Sequence, residues 1–253
     1  MQLYHQKLGN TGKNIIIIHG LFGSSDNWLS VGKILAEKYQ VYLIDQRNHG
    51  KSPHSFIWNY QAMADDLQEF ILTQQIEEPI LLGHSMGGKT AMQFVFSYPN
   101  IASKLIVADI APKPYPLHHQ QILEGLQAIH LDLLQSRKEA EDMLSRYVSE
   151  FGIRAFLLKN LYKNEEEKWA WRINLKVIAE QIANVGESFS TNKTCQVPTL
   201  FIRGALSNYI KDEDIKQIHQ YFPSAQIATI QAAGHWLHAE KPQEFIEIVQ
   251  NFL

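Results

Sequence analysis

The chain has 253 residues, of which 45% are apolar, and its 23 lysines and arginines nearly balance 26 aspartates and glutamates for a formal charge of −3. That composition allows a sizeable core and excludes a general attraction to nucleic acid or an anionic membrane. The single cysteine, Cys195, excludes an internal disulfide, and the opening MQLYHQKLGNTGKN lacks an export-signal pattern; a cytoplasmic protein without stable membrane insertion is expected.

Short apolar, β-branched runs recur along the chain: IIII at 15–18, VYLI at 41–44, PILL at 79–82, KLIVA at 104–108, PTLFI at 198–202 and QIATI at 226–230. Helical patterns lie between them, which predicts an α/β fold: a mainly parallel twisted sheet with helices on both faces. The runs lead into His19-Gly20, Asp45, Gly83-His84-Ser85, Asp109, Arg203-Gly204 and, a few residues on, Gly234-His235. In an open α/β sheet ligands bind beyond the carboxyl ends of the strands, so these residues are expected in one crevice.

The alternation stops once. No strand is expected between Asp109 and Val197; APKPYP leads instead into helical patterns at 117–134, 137–149, 152–162 and 165–185. The expected organisation is a core domain of residues 1–110 and 193–253 with a helical cap, 111–192, inserted over the strand ends. Most apolar and aromatic residues of the insertion should pack its own core.

The octapeptide GHSMGGKT at 83–90 fits two chemistries. Gly83, Ser85 and Gly87 make the G-x-S-x-G turn of a nucleophilic serine, whereas Gly83, Gly88, Lys89 and Thr90 fit a nucleotide-binding phosphate loop. Asp45 or Asp109 would serve the second chemistry as a magnesium carboxylate. The first needs a base, an acid behind it and donors for an oxyanion. His235 in AAGHWLH supplies the base, with His238 as a competitor. The N–H of Met86 supplies one donor, and Leu21 or Phe22 in HGLFGSSDNW a second. A phosphate loop has no use for the late histidine or the HG loop, so Lys89 and Thr90 become ordinary residues of the helix behind Ser85.

The pieces IIIIHGLFGSSDNW, VYLIDQRNHGKSPHS, LLGHSMGG, VPTLFIRG and AAGHWLHAEKPQEF together resemble the α/β-hydrolase superfamily over essentially the whole chain. The asparagine in DQRNHGKSPHS is similar to the YbfF-like bacterial esterases. Asp45, Arg47, His49 and Ser52 of that stretch are expected to hold a turn together rather than to react.

The departure from the superfamily is the acid. Where most members place Asp after the strand corresponding to TLFIRG, this chain has Ala205-Leu206-Ser207-Asn208-Tyr209. Asp212 and Asp214 are expected in the N-terminal turn of a helix, where carboxylates serve as caps. Asp109, at the end of the strand neighbouring that of Ser85, is the expected acid, a location the resemblance also implies, and Ser207 adds a hydrogen bond near the histidine. The expectation is a carboxylesterase or acyl-CoA thioesterase that needs no cofactor or metal. His84 and Trp236 are expected in the substrate pocket, and the cap's apolar face is expected to accept the acyl chain. A ligand receptor without chemistry on the same fold is the competing function, and the oligomeric state stays open.

Overall fold

Alternation along each strand buries the sheet on both sides. In the computed structural model, which describes residues 1–189 and 193–253, the strands are β1 (His5–Leu8), β2 (Asn14–Ile18), β3 (Gln40–Ile44), β4 (Ile80–His84) and β5 (Lys104–Ala108). A hairpin of β6 (Leu161–Lys163) and β7 (Trp169–Trp171) precedes β8 (Thr199–Gly204) and β9 (Gln226–Ile230). Seven strands form one sheet in the order β1-β3-β2-β4-β5-β8-β9, all parallel except β1, which pairs antiparallel with β3.

Because side chains alternate with period two, Ile16, Ile18, Ile44, Leu81 and Val107 face one apolar layer, and Ile15, Ile17, Leu43, Leu82 and Ile106 face the other. The helices α1 (Leu29–Leu35), α2 (Tyr60–Thr73) and α3 (Met86–Ser97) cover these layers. Leu35 of α1 joins the second layer, whereas Leu67 of α2 and Phe94 of α3 join the first. Each such side chain contributes about 1.5–3 kcal/mol relative to exposure.

Between β5 and β8 run α4 (Gln120–Gln127), α5 (Arg137–Leu144), α6 (Phe151–Leu157), α7 (Leu175–Gln181) and α8 (Ala183–Gly186). Their apolar faces form a third cluster that also takes in Phe22, Trp58 and Met86 from beneath. Positions 190–192 of the expected insertion lie outside the described residues. After β8 come α9 (Ile215–Tyr221), α10 (Leu237–Glu240) and α11 (Pro242–Phe252).

The β6–β7 hairpin corrects the expectation of a strand-free insertion, because the helical patterns at 152–162 and 165–185 both run into it. Asn164 decides the local structure: its side-chain oxygen accepts from Glu166 N and Lys168 N, and its own N–H donates to the Lys168 carbonyl. Such side-chain turns compete with helix for the same backbone groups, and the flanking Tyr162, Trp169 and Trp171 suit a pleated surface.

Candidate active site

Ser85 occupies the single position between β4 and α3, with φ 52° and ψ −118°. A non-glycine residue there is strained by about 1–3 kcal/mol, a strain found mainly at functional sites. The packing that imposes it explains the flanking glycines: a Cβ on Gly83 would lie 2.3 Å from the Gly87 carbonyl oxygen, and one on Gly87 would lie 2.2 Å from that of Ile18. Met86 follows as the first residue of α3, where a helix leaves its N–H groups unpaired and positive in character.

The loop after β2 approaches Ser85 from the other side and is held by the DQRNHG turn. Asp45 accepts Ser25 N at 2.6 Å and Lys51 N at 2.8 Å, and Arg47 makes a two-bond ion pair with the buried Asp66. His49 donates from Nδ1 to the Arg47 carbonyl, which leaves its Nε2 to accept the Phe22 N–H at 3.3 Å. Ser52 donates to the Asp45 carbonyl. None of Asp45, Arg47, His49 and Ser52 lines the cavity at Ser85. Of the two residues expected to donate to an oxyanion, Phe22 has its N–H engaged with His49, which leaves the expectation with Leu21.

Asp109 follows β5 with a positive φ of 52° and is completely buried. One carboxylate oxygen accepts the Gly204 N–H; the other accepts the Ser207 hydroxyl and, at 2.8 Å, the Nδ1–H of His235. Burial pushes its pKa up to about 6 against the opposing pull of those Ser207 and Gly204 hydrogen bonds. Burial, followed by the proximity of His118, lowers His235 to about 3, with Glu240 opposing. At neutral pH the pair is therefore a carboxylate and a neutral imidazole whose Nε2 is free to take a proton.

The competitors are placed differently. His238 borders the same cavity but is buried, its ring stacked 4.0 Å from Trp28 and its Nδ1 without a hydrogen-bond partner among the described residues. Asp212 pairs with Arg203, and Asp214 accepts Lys211 N at the start of α9 and pairs with Lys113.

A cavity of about 360 Å³ opens over Ser85 and is lined by His235, Trp236 and His84 together with Ile122, Ile153 and Phe156 of the insertion. His84 lines it as a buried ring that donates from Nε2 to the His235 carbonyl at 2.8 Å. Among the described residues no lysine, arginine, aspartate or glutamate lines this cavity.

Three lining residues carry no motif. Tyr209 stacks on His235 with ring centroids 3.8 Å apart, and its hydroxyl contacts His118 Nε2 at 2.7 Å. His119 is held near pKa 4, mainly by burial. Their only signal in the sequence is place: Tyr209 follows the loop after β8, and the His118-His119 doublet follows the turn after β5.

A model of the alpha/beta hydrolase fold matches residues 13–242. The chain belongs to this family. It is 34% identical over 240 residues to esterase YbfF of Escherichia coli, covering 94% of this chain and 92% of that one. It is 38% identical over 247 residues to the zebrafish (Danio rerio) sn-1-specific diacylglycerol lipase ABHD11, covering 94% of this chain and 78% of that one. A solved marine microorganism esterase superposes with a TM-score of 0.98 at 45% identity, covering 100% of this chain and 99% of that one.

As an α/β-hydrolase the chain also resolves GHSMGGKT. Only Ser85 separates β4 from α3, which leaves no loop whose backbone could cradle a phosphate. Lys89 is corrected from an ordinary helix residue: it is fully buried, donates to the Glu187 carbonyl, and lies 5.5 and 5.0 Å from the Tyr60 and Tyr115 ring centres. Thr90 donates to Gln46.

Proposed function

We propose that this protein is a serine esterase that cleaves uncharged carboxylic esters through an acyl-enzyme on Ser85. One observation carries the proposal: Ser85, on its strained turn, shares a cavity with His235, whose other nitrogen is hydrogen-bonded to the buried Asp109.

His235 Nε2 takes the Ser85 hydroxyl proton as Oγ bonds to the carbonyl carbon. The N–H groups of Leu21 and Met86 receive the oxyanion, the largest charge that develops. Collapse breaks the bond to the alcohol, whose oxygen takes the proton from His235. Water then gives a proton to His235 and hydroxide to the acyl carbon, and Ser85 recovers its proton as the acid departs. Asp109 holds the imidazole in the required tautomer and stabilises its charged form, and Ser207 braces the carboxylate.

The names of the similar proteins, esterases and a diacylglycerol lipase, support ester substrates. The uncharged lining favours neutral esters over acyl-CoA thioesters, since a buried ionic group without a partner is costly. The described part of the insertion, 111–189, serves as a cap over the core, and no cofactor or metal is required.

The test is hydrolysis of p-nitrophenyl acetate by the protein and its Ser85→Ala variant. Turnover that falls by about 10⁴-fold or more in the variant is expected. Ester binding without turnover in the unaltered protein would support a receptor instead, and undiminished turnover in Ser85→Ala would remove Ser85 from the mechanism.

A further inference from the structure

A second cavity, about 30 Å³, also opens on Ser85. Its walls include Met86, Ile110, Tyr115, Leu117, Ile182 and Val185, and it shares Leu21, Ser85, His118, His119 and Tyr209 with the larger cavity. His235 lines only the larger cavity, and Met86 only the smaller.

This asymmetry assigns the two arms of an ester. In the tetrahedral intermediate the former carbonyl carbon carries the Ser85 oxygen, the oxyanion, the alcohol oxygen and the acyl chain. The alcohol oxygen must lie within hydrogen-bond reach of His235 to receive its proton, which directs it into the larger cavity. The oxyanion lies between the N–H groups of Leu21 and Met86, at the neck of the smaller one. The acyl chain is left with the smaller cavity.

We infer that the smaller cavity is the acyl site and the larger one the alcohol site, so that the natural substrates are acetyl- or propionyl-sized esters of bulky, uncharged alcohols. This rests on the serine esterase reading above and narrows the expectation that the apolar face of the insertion accepts the acyl chain to the part of that face formed by Leu117, Ile182 and Val185. A water-sized group needs about 10–15 Å³ of such space, so the smaller cavity admits roughly two. Its wall is tied down: Tyr60 donates to the Val185 carbonyl at 2.9 Å, Tyr115 N donates to the Gly186 carbonyl at 2.8 Å, and Lys89 donates to the Glu187 carbonyl. The larger cavity, walled by Ile122, Ile153, Phe156 and Trp236, has room for an extended apolar alcohol.

Two ester series on the unaltered protein test the assignment. Across p-nitrophenyl acetate, propionate, butyrate, hexanoate and octanoate, kcat/KM is expected to be highest at two or three carbons and to fall about tenfold or more by hexanoate, the scale of a few methylenes that fail to fit. Across ethyl, butyl and hexyl acetate, whose alcohols have similar acidity, acid release is expected to become faster with alcohol length. Ile182→Ala should move the acyl optimum to longer chains, and Phe156→Ala should flatten the dependence on the alcohol. Faster turnover of hexanoate than acetate, or the two variants exchanging their effects, would overturn the assignment while leaving the esterase intact. Failure to hydrolyse any ester in either series would overturn both.

Discussion

Asp109 Oδ2 lies 2.8 Å from His235 Nδ1, joining residues 126 positions apart at the carboxyl end of the sheet. The short distance follows from the topology: β5, which precedes Asp109, is paired with β8, and β8 with β9, which precedes the His235 loop. The Asp109 N–H itself donates to the Ile202 carbonyl of β8 at 2.8 Å, so this carboxyl group is aimed by the strand ladder rather than by a flexible loop.

Asp109→Asn should therefore retain the fold and lower kcat/KM by about 10³–10⁴-fold, as loss of the orienting carboxylate does in other triads. Asp212→Asn should be nearly silent, because that side chain is 87% exposed and pairs with Arg203 outside the cavity. Steady-state kinetics with an aryl acetate checks both; equal activities for the two variants would dismiss Asp109 as the acid.

The pH profile should report the same pair. As pH falls through about 6, the carboxyl of Asp109 takes up a proton and stops supporting the imidazole, while His235 itself stays neutral until about 3. The acid limb of kcat/KM is expected between these values, below the ordinary histidine midpoint of about 6.5, as a property of the coupled pair. Ser207→Ala removes a hydrogen bond that lowers the Asp109 pKa, so its limb should move to higher pH. A limb that stays in place or moves to lower pH would contradict the role given to Ser207.

Lys89 should leave its mark on stability. Burial lowers its pKa from 10.5 to about 8, with Glu187 opposing. The unfolded chain therefore holds more protons than the folded one between those values, and stability rises with pH across that window. The penalty below pH 8 amounts to about 3–4 kcal/mol. Lys89→Met keeps the aliphatic stem and removes the titration, so urea unfolding should show the rise from pH 8 to 10 in the unaltered protein and lose it in the variant. Parallel stability curves would show that the amine titrates normally.

Much of the architecture was legible because parallel strands buried on both faces must be continuous apolar runs. All six runs named from the sequence became strands of the sheet. The edge strand β1, HQKL, and the hairpin strands LYK and WAW have no such signature, since short, half-exposed segments carry too few apolar positions to show a period. Ser85 was legible through its flanking glycines, and His235 through its place after the last strand. Tyr209, His118 and His119 were not, because nothing in their local sequence distinguishes a cavity wall from a loop.

What the sequence determined by itself was local: the strand runs, the close approach that admits only glycine at 83 and 87, and the chemical types available at the strand ends. Tertiary structure alone decided how those types were used. Pairing of β5 with β8 brought Asp109 to Ser207 and led it to His235, the His49 ring occupied the Phe22 N–H, and the insertion buried Lys89 and divided the space above Ser85. The physical reason is that backbone conformation and burial preference act over a few residues, whereas a hydrogen-bond partner or a cavity wall is supplied by whichever distant segment packing brings within reach.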